Sequence, residues 1–164
     1  MWDPSTRVVQ RLGHGADISS ERYLCDTYDK QHKLLPPVGD PKRYAVLQWV
    51  HAAEATYALH GLAVLYIRWF QKEGDVAKSE EGAGVNVQKD LDYLQAELEK
   101  SNGKFLFGNE VTAADVMMEF TADFVFAREL GTKGKKWEKI DQYIKDCQQV
   151  PSWQKAMKKT GHKL

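Results

Sequence analysis

Four side chains at three-residue steps carry the densest proton-handling potential in this sequence: His51, Glu54, Tyr57 and His60. A histidine exchanges protons near neutral pH, and a tyrosine hydroxyl stabilises an enolate-like or phenolate oxygen. A carboxylate such as Glu54 sets the tautomer or charge of either histidine. Residues three apart are neighbours on a helix surface, yet each such step drifts back by about 60°. Any adjacent three therefore face one cleft, while the full quartet winds across half the helix. Tyr57 and His60 are the catalytic candidates, and Tyr57, His60 and Glu54 are candidates to touch a substrate. A structural reading stands beside this one: His51 pairs with Glu54, and Tyr57 is a core aromatic with its hydroxyl at the edge.

Other chemistries find less support. The sequence has no His-Glu-x-x-His, no glycine-rich phosphate loop and no Gly-x-Ser-x-Gly elbow. His51 and Glu54 are only two potential ligands, so no metal site is expected. Cys25 and Cys147 stand far apart and make neither a metal cluster nor a disulfide framework, which leaves reduced thiols in the cytoplasm. Cys25 has no base nearby in sequence and reads as inert.

Helices must position these groups. Residues 19–29 read as a short helix and 30–40 as a proline-stiffened connector. Pro41 to Phe70 reads as one long helix, since proline at the first turn forfeits only an amide that has no partner there. Gly61 inside it predicts a bend or a close approach. Residues 73–85, rich in Gly, Glu, Ser and Lys, read as a mobile excursion. From about Val87 to Lys100, Leu91, Leu94 and Leu98 lie on one stripe, and Asn102-Gly103 ends the helix. Further helices are expected from Thr112 to about Leu130, Lys136 to Gln148, and Pro151 to about Lys159. Trp49, Trp69, Trp137 and Trp153 read as packing anchors. The fold class is all-α, a bundle of five or six helices with the Thr112 helix at its centre.

Composition narrows the function. The 164 residues carry 23 basic and 23 acidic side chains, so the formal net charge is zero. A hydrophobic fraction of 43% suits a soluble domain with an ordinary core. The lysine-rich C-terminal third lacks the interleaved aromatics of a nucleic-acid platform, and no nucleic-acid partner is expected. The run from Leu59 to Ile67 is too short to span a bilayer, and no membrane partner is expected.

The stretch Phe105-Leu106-Phe107-Gly108-Asn109-Glu110-Val111-Thr112-Ala113-Ala114-Asp115 is the most specific in the chain. Thr112 and Asp115 form a capping box, the Asp115 carboxylate reaching back to the Thr112 amide. Gly108 supplies a sharp turn before the helix. Structural roles therefore fall to Thr112, Asp115 and Gly108. The whole phrase resembles a signature of the all-helical C-terminal domain of the glutathione S-transferase superfamily. Three further segments resemble the family in the same order: Tyr23-Leu24 with Leu34-Leu35-Pro36 its inter-domain passage, and Trp49 to Glu54 and Val150 to Met157 two helices of its fungal and bacterial members.

That resemblance implies a bundle over residues 39–164, preceded over 1–38 by a truncated remnant: an arm, a short helix and a connector. A thioredoxin-like domain, which holds most of the family's glutathione site, does not fit in 38 residues, since one βαβ unit needs roughly thirty or more. The Glu-Ser pair that receives the γ-glutamyl group has no counterpart in Ile18-Ser19-Ser20-Glu21-Arg22. No cofactor is expected to be required, and ordinary glutathione conjugation is not expected of this polypeptide alone. By the resemblance, the stretch after His51 lines the acceptor site or lies beside a subunit interface. Most of the apolar surface of the Thr112 helix is core, and Met118 or Phe126 is the candidate to face a ligand cavity.

Two functions follow as expectations. One is a glutathione S-transferase-like enzyme that isomerises, cyclises, dehydrates or adds to a hydrophobic, electrophilic small molecule, with a place in secondary-metabolite biosynthesis. The other is a non-catalytic helical domain that binds proteins or sequesters ligands. Either permits a homodimer, because residues 1–17 or a second subunit must cover apolar surface on the long helix and the Thr112 helix.

Overall fold

The computed structural model describes residues 18–161, and the expected arm over 1–17 lies outside them. Helix α1 spans Ile18–Tyr28. Beyond it the Asp29 carboxylate accepts the amides of Lys33, Leu34 and Leu35 at 3.0, 2.7 and 3.1 Å, which folds the connector tightly. The long helix, α2, is α-helical over Pro41–Ala52, π-helical over Ala53–Ala58 and α-helical again over Leu59–Phe70. Asp40 caps its start by accepting from the Lys42 amide at 2.8 Å. Arg43 is buried and ties α2 to α1, donating to the Pro36 carbonyl and to Asp26, both at 2.7 Å.

Helix α3 spans Val76–Lys100, so the excursion expected at 73–85 is mostly helix. Asp75 caps it, accepting from the Lys78 amide at 3.0 Å. Glycine in this stretch marks contact: a Cβ on Gly84 would lie 2.9 Å from the Cα of Gly131. Gly61 likewise marks close approach, with a Cβ there reaching 3.1 Å from Val125 Cγ2.

Helix α4 spans Ala113–Ala127, α5 spans Glu138–Gln148 and α6 spans Pro151–Thr160. Helix α4 ends three residues before the expected Leu130, because Arg128 leaves helical geometry and Glu129 turns to φ 50°. The Arg68 guanidinium donates to the carbonyls of Arg128 and Glu129 there, at 2.7 and 2.9 Å. Among the described residues the fold is thus six helices and no named strand, with α4 packed between α2 and α5. Val46, Val50, Val64, Leu91, Leu94, Leu98, Met118 and Ile140 form the fully buried centre.

Trp137 is a buried anchor as expected, but Trp69 is 56% exposed. Trp69 sits on the outer face of α2 with Tyr66 and Phe70, all three exposed and in mutual ring contact.

Candidate functional site

The quartet on α2 separates. His51 and Glu54 point outward and, with Ile18, Ser19 and Arg22 of α1, line a shallow cavity of about 380 Å³. Tyr57 turns inward, 5% exposed, against the Trp49 ring at a centroid distance of 6.2 Å. Its hydroxyl has no hydrogen-bond partner among the described residues. Burial, then the charge of Asp90, pushes that phenol far above its ordinary range. His60 lies at the seam with α3, its Nδ1 at 2.6 Å from Asp90 Oδ2. The π-helical turn accounts for the split, because its wider winding changes the direction of each later side chain.

Met118 is fully buried in the core. Phe126 is half-buried and stacks on Trp137, ring centroids 6.0 Å apart. The capping box closes in both directions. Asp115 Oδ2 accepts from the Thr112 amide and from Thr112 Oγ1, each at 2.8 Å, and Oδ1 accepts from the Leu106 amide at 2.9 Å. Burial raises the Asp115 carboxyl more than these donors lower it. Gly108 turns at φ 112°, and Phe105 and Gly108 exchange backbone hydrogen bonds at 2.8 and 3.2 Å.

A cavity of about 720 Å³ lies elsewhere, between α1 and the start of α4. Glu21, Leu24, Cys25, Tyr28 and Asp29 form one wall; Leu34, Ala113 and Val116 form the other. Neither Tyr57 nor His60 belongs to it. Its walls are held by the connector: the Ala113 amide donates to the Leu34 carbonyl at 2.9 Å, tying α4 to the end of α1.

Glu21 stands on the α1 wall of this cleft. Its Oε2 is buried without a hydrogen-bond partner among the described residues, and burial pushes the carboxyl up to about 7. A proton therefore comes and goes there near neutral pH, which is the condition for general acid–base work. Cys25 is the opposite case. Burial, followed by Glu21 and Asp29, pushes its thiol up to about 11, so it is no nucleophile at neutral pH. Asp29 stays ionised, since the three amides outweigh the effect of burial and hold it below the usual carboxylate range.

The sequence contains a signal for this wall. Glu21, Leu24 and Tyr28 follow i, i+3, i+7 spacing and share a face of α1. Ala113 and Val116 of the opposite wall are nearly ninety residues on, and no local pattern announces them.

Comparison with known proteins gives the following. Residues 55–151 match the family of the glutathione S-transferase C-terminal domain. No curated protein matches the sequence. A glutathione transferase of Methylococcus capsulatus is similar in structure, with a TM-score of 0.73 and 25% identity over 90% of this chain and 68% of that one. A glutathione transferase of Phanerochaete chrysosporium, solved with oxidized glutathione, gives 0.76 and 18% over 90% and 67%. A glutathione S-transferase of Actinobacillus pleuropneumoniae gives 0.70 and 18%, and the chain spans only 64% of its length.

Proposed function

Because the chain belongs to the glutathione S-transferase superfamily through its helical C-terminal domain, we propose that it acts on a hydrophobic, electrophilic small molecule in the α1–α4 cleft. The observation that carries this is Glu21, whose Oε2 is buried without a hydrogen-bond partner among the described residues, on the wall of a cavity large enough for a drug-sized molecule. Leu24, Tyr28, Leu34 and Val116 supply the apolar contact. Isomerisation of an unsaturated ketone illustrates the chemistry. The Glu21 carboxylate takes a proton from carbon on one side of the double bond, and the resulting acid returns it to the other end. The double bond moves, and no atom or electron is gained or lost.

This reading moves the proton carrier from His60 and Tyr57 to Glu21, since Glu21 faces the cavity and the other two do not line it. Glutathione is not required by it, although the Phanerochaete structure holds the oxidized form. A cytoplasmic role in secondary-metabolite biosynthesis is compatible with the apolar cleft; among the described residues no helix is long and apolar enough to cross a membrane. A homodimer is supported by the exposed apolar residues Tyr44, Leu59, Tyr66, Trp69 and Phe70 along α2.

Calorimetric titration with benzylideneacetone, a hydrophobic enone, tests the cleft. Leu24→Arg is expected to weaken binding at least about tenfold, and added glutathione to leave the wild-type affinity unchanged. Equal binding by the variant refutes the assignment.

Glu21 also makes a pH signature. Its folded pKa lies above the unfolded value, so the folded state binds the extra proton between about pH 4.5 and 7. Stability contributed by this group therefore falls as pH rises through that window and stays low above it. Glu21→Gln is expected to be more stable than wild type above pH 7, by roughly 1–2 kcal/mol after allowing for partial exposure. Urea melts at several pH values measure the difference; a gap that does not grow with pH contradicts the buried-acid account.

A second reading, a non-catalytic docking domain, draws on Val116 and Phe120. They are 52% and 70% exposed on α4 and extend the apolar surface past the cleft. Enone binding at the cleft separates the two.

A further inference from the structure

The charges around the α1–α4 cleft narrow what it takes. Among the described residues that line it, Glu21 and Asp29 are acidic and none is basic. The two carboxyls are held differently. Asp29 accepts the amides of Lys33, Leu34 and Leu35, which carry no net charge, so its negative charge stays. Glu21 is only partly buried and lines the cavity, with Oε2 enclosed and unpartnered among the described residues.

The cations of this region go elsewhere. Arg22 of α1 and Arg43 of α2 both pair with Asp26, at 3.6 and 2.7 Å, rather than with Glu21. The charge of His32 acts on Asp29, after burial and the three amides, but His32 is not in the lining. Cys25, on the same wall, reports the sign of the local field. After burial, the charges of Glu21, Asp29 and Asp26 all raise its thiol, and Arg43 opposes them. The wall is negative.

We propose that the guest of this cleft is a hydrophobic amine bound as its ammonium ion, the nitrogen at Glu21 and the carbon skeleton against Leu24, Leu34 and Val116. This rests on the reading of the cleft as a small-molecule site and narrows it: the electrophile carries a protonated amine. An alkylammonium brings the Glu21 carboxyl an N–H donor and a counter-charge, the strong kind of hydrogen bond. Tyr28, half-exposed on the same wall, adds a ring whose face attracts the same charge. The ammonium also favours the ionised form of Glu21, which is the form that takes a proton from carbon. A carboxylate guest meets two like charges instead, and is disfavoured.

Phenylbutylamine, phenylbutanol and phenylbutyrate share a terminal ring and a short chain and differ in charge, so they are the probes. Each is titrated calorimetrically into the full chain at about pH 8, where the amine is charged and Glu21 is ionised. The amine is expected to bind saturably at one site, the alcohol at least about tenfold more weakly, and the acid without saturation. Glu21→Gln keeps the size of the side chain and removes its charge. It is expected to bring the amine down to the affinity of the alcohol and to leave the alcohol unchanged. Leu24→Arg sets a guanidinium one helical turn from Glu21 and is expected to lose the amine. Asp90→Asn, an equal loss of charge at the α2–α3 seam, is expected to bind the amine as wild type does.

Equal affinity for amine and alcohol, saturable binding of the acid at the strength of the amine, or a preference that survives Glu21→Gln would overturn the proposal. A preference lost in Asp90→Asn alone would also overturn it, because the ammonium would then sit at the seam. Enone binding without a preference for the amine removes this inference and leaves the proposed function. A Glu21-dependent amine preference without enone binding removes the enone chemistry and leaves the ammonium site standing.

Discussion

Asp115→Ala is expected to destabilise the protein by about 4 kcal/mol, enough to leave a domain of ordinary stability marginally folded. The carboxylate accepts from the amides of Leu106 and Thr112 and from Thr112 Oγ1, all within 2.9 Å. The Tyr143 hydroxyl adds a longer contact at 3.3 Å. These groups are buried, so deleting the acceptor leaves two backbone amides and the Thr112 hydroxyl without it, while the Tyr143 hydroxyl keeps the Asp115 carbonyl at 3.3 Å. Each unsatisfied donor costs roughly 1–3 kcal/mol, and relaxation recovers part of the sum. Asp115→Asn keeps one acceptor oxygen but turns an NH2 toward a donor, and should fall between the two. Urea denaturation with coincident fluorescence and circular dichroism measures both. A loss below about 1 kcal/mol in the alanine variant would show that the box is not the clasp its geometry describes.

The second large effect is at Gly131. Its φ of 68° suits glycine, and a Cβ there would lie 2.7 Å from the Cα of Gly84 on α3. The obstacle is backbone, which yields only if α3 shifts. Left-handed strain of roughly 1–2 kcal/mol adds to overpacking of roughly 1–3 kcal/mol. Gly131→Ala is therefore expected to cost about 3 kcal/mol, a drop in Tm of roughly 10 °C for a domain of this size. Gly82→Ala is the control. It lies in the same helix as Gly84 with nothing within 4 Å of its Cβ, and should gain up to about 1 kcal/mol. Opposite signs from two glycine replacements in one tertiary contact region would confirm that close approach governs residues 82–84 and 131.

These two sites also show what can be read from the chain before it folds. The capping box was legible because its donors and acceptors lie within three residues, and the structure forms it in both directions. The long helix from Pro41 was legible for the same local reason. Residues 73–85 misled because glycine density resembles a loop, whereas the need for Gly84 arises from a partner 47 residues on, and the cap at Asp75 is a single side chain. Tyr57 and His60 illustrate a subtler failure. Ideal helical spacing placed them toward one cleft, and the π-helical turn at Ala53–Ala58 sends one into the core and the other to Asp90. The α1–α4 cleft was the hardest to foresee, since it forms where the start of α4 meets the connector after α1, through the hydrogen bond from the Ala113 amide to the Leu34 carbonyl.

The functional account rests on the α1–α4 cleft as the place where a hydrophobic electrophile binds. Amide NMR of the isotope-labelled full chain during titration with benzylideneacetone tests this most directly. The expected result is saturable shifts concentrated at Leu24, Cys25, Tyr28, Ala113 and Val116, with Glu21→Gln changing the pH dependence of binding around neutrality. Shifts confined to the His60–Asp90 seam, or no saturable shift at any of the cleft residues, would contradict it.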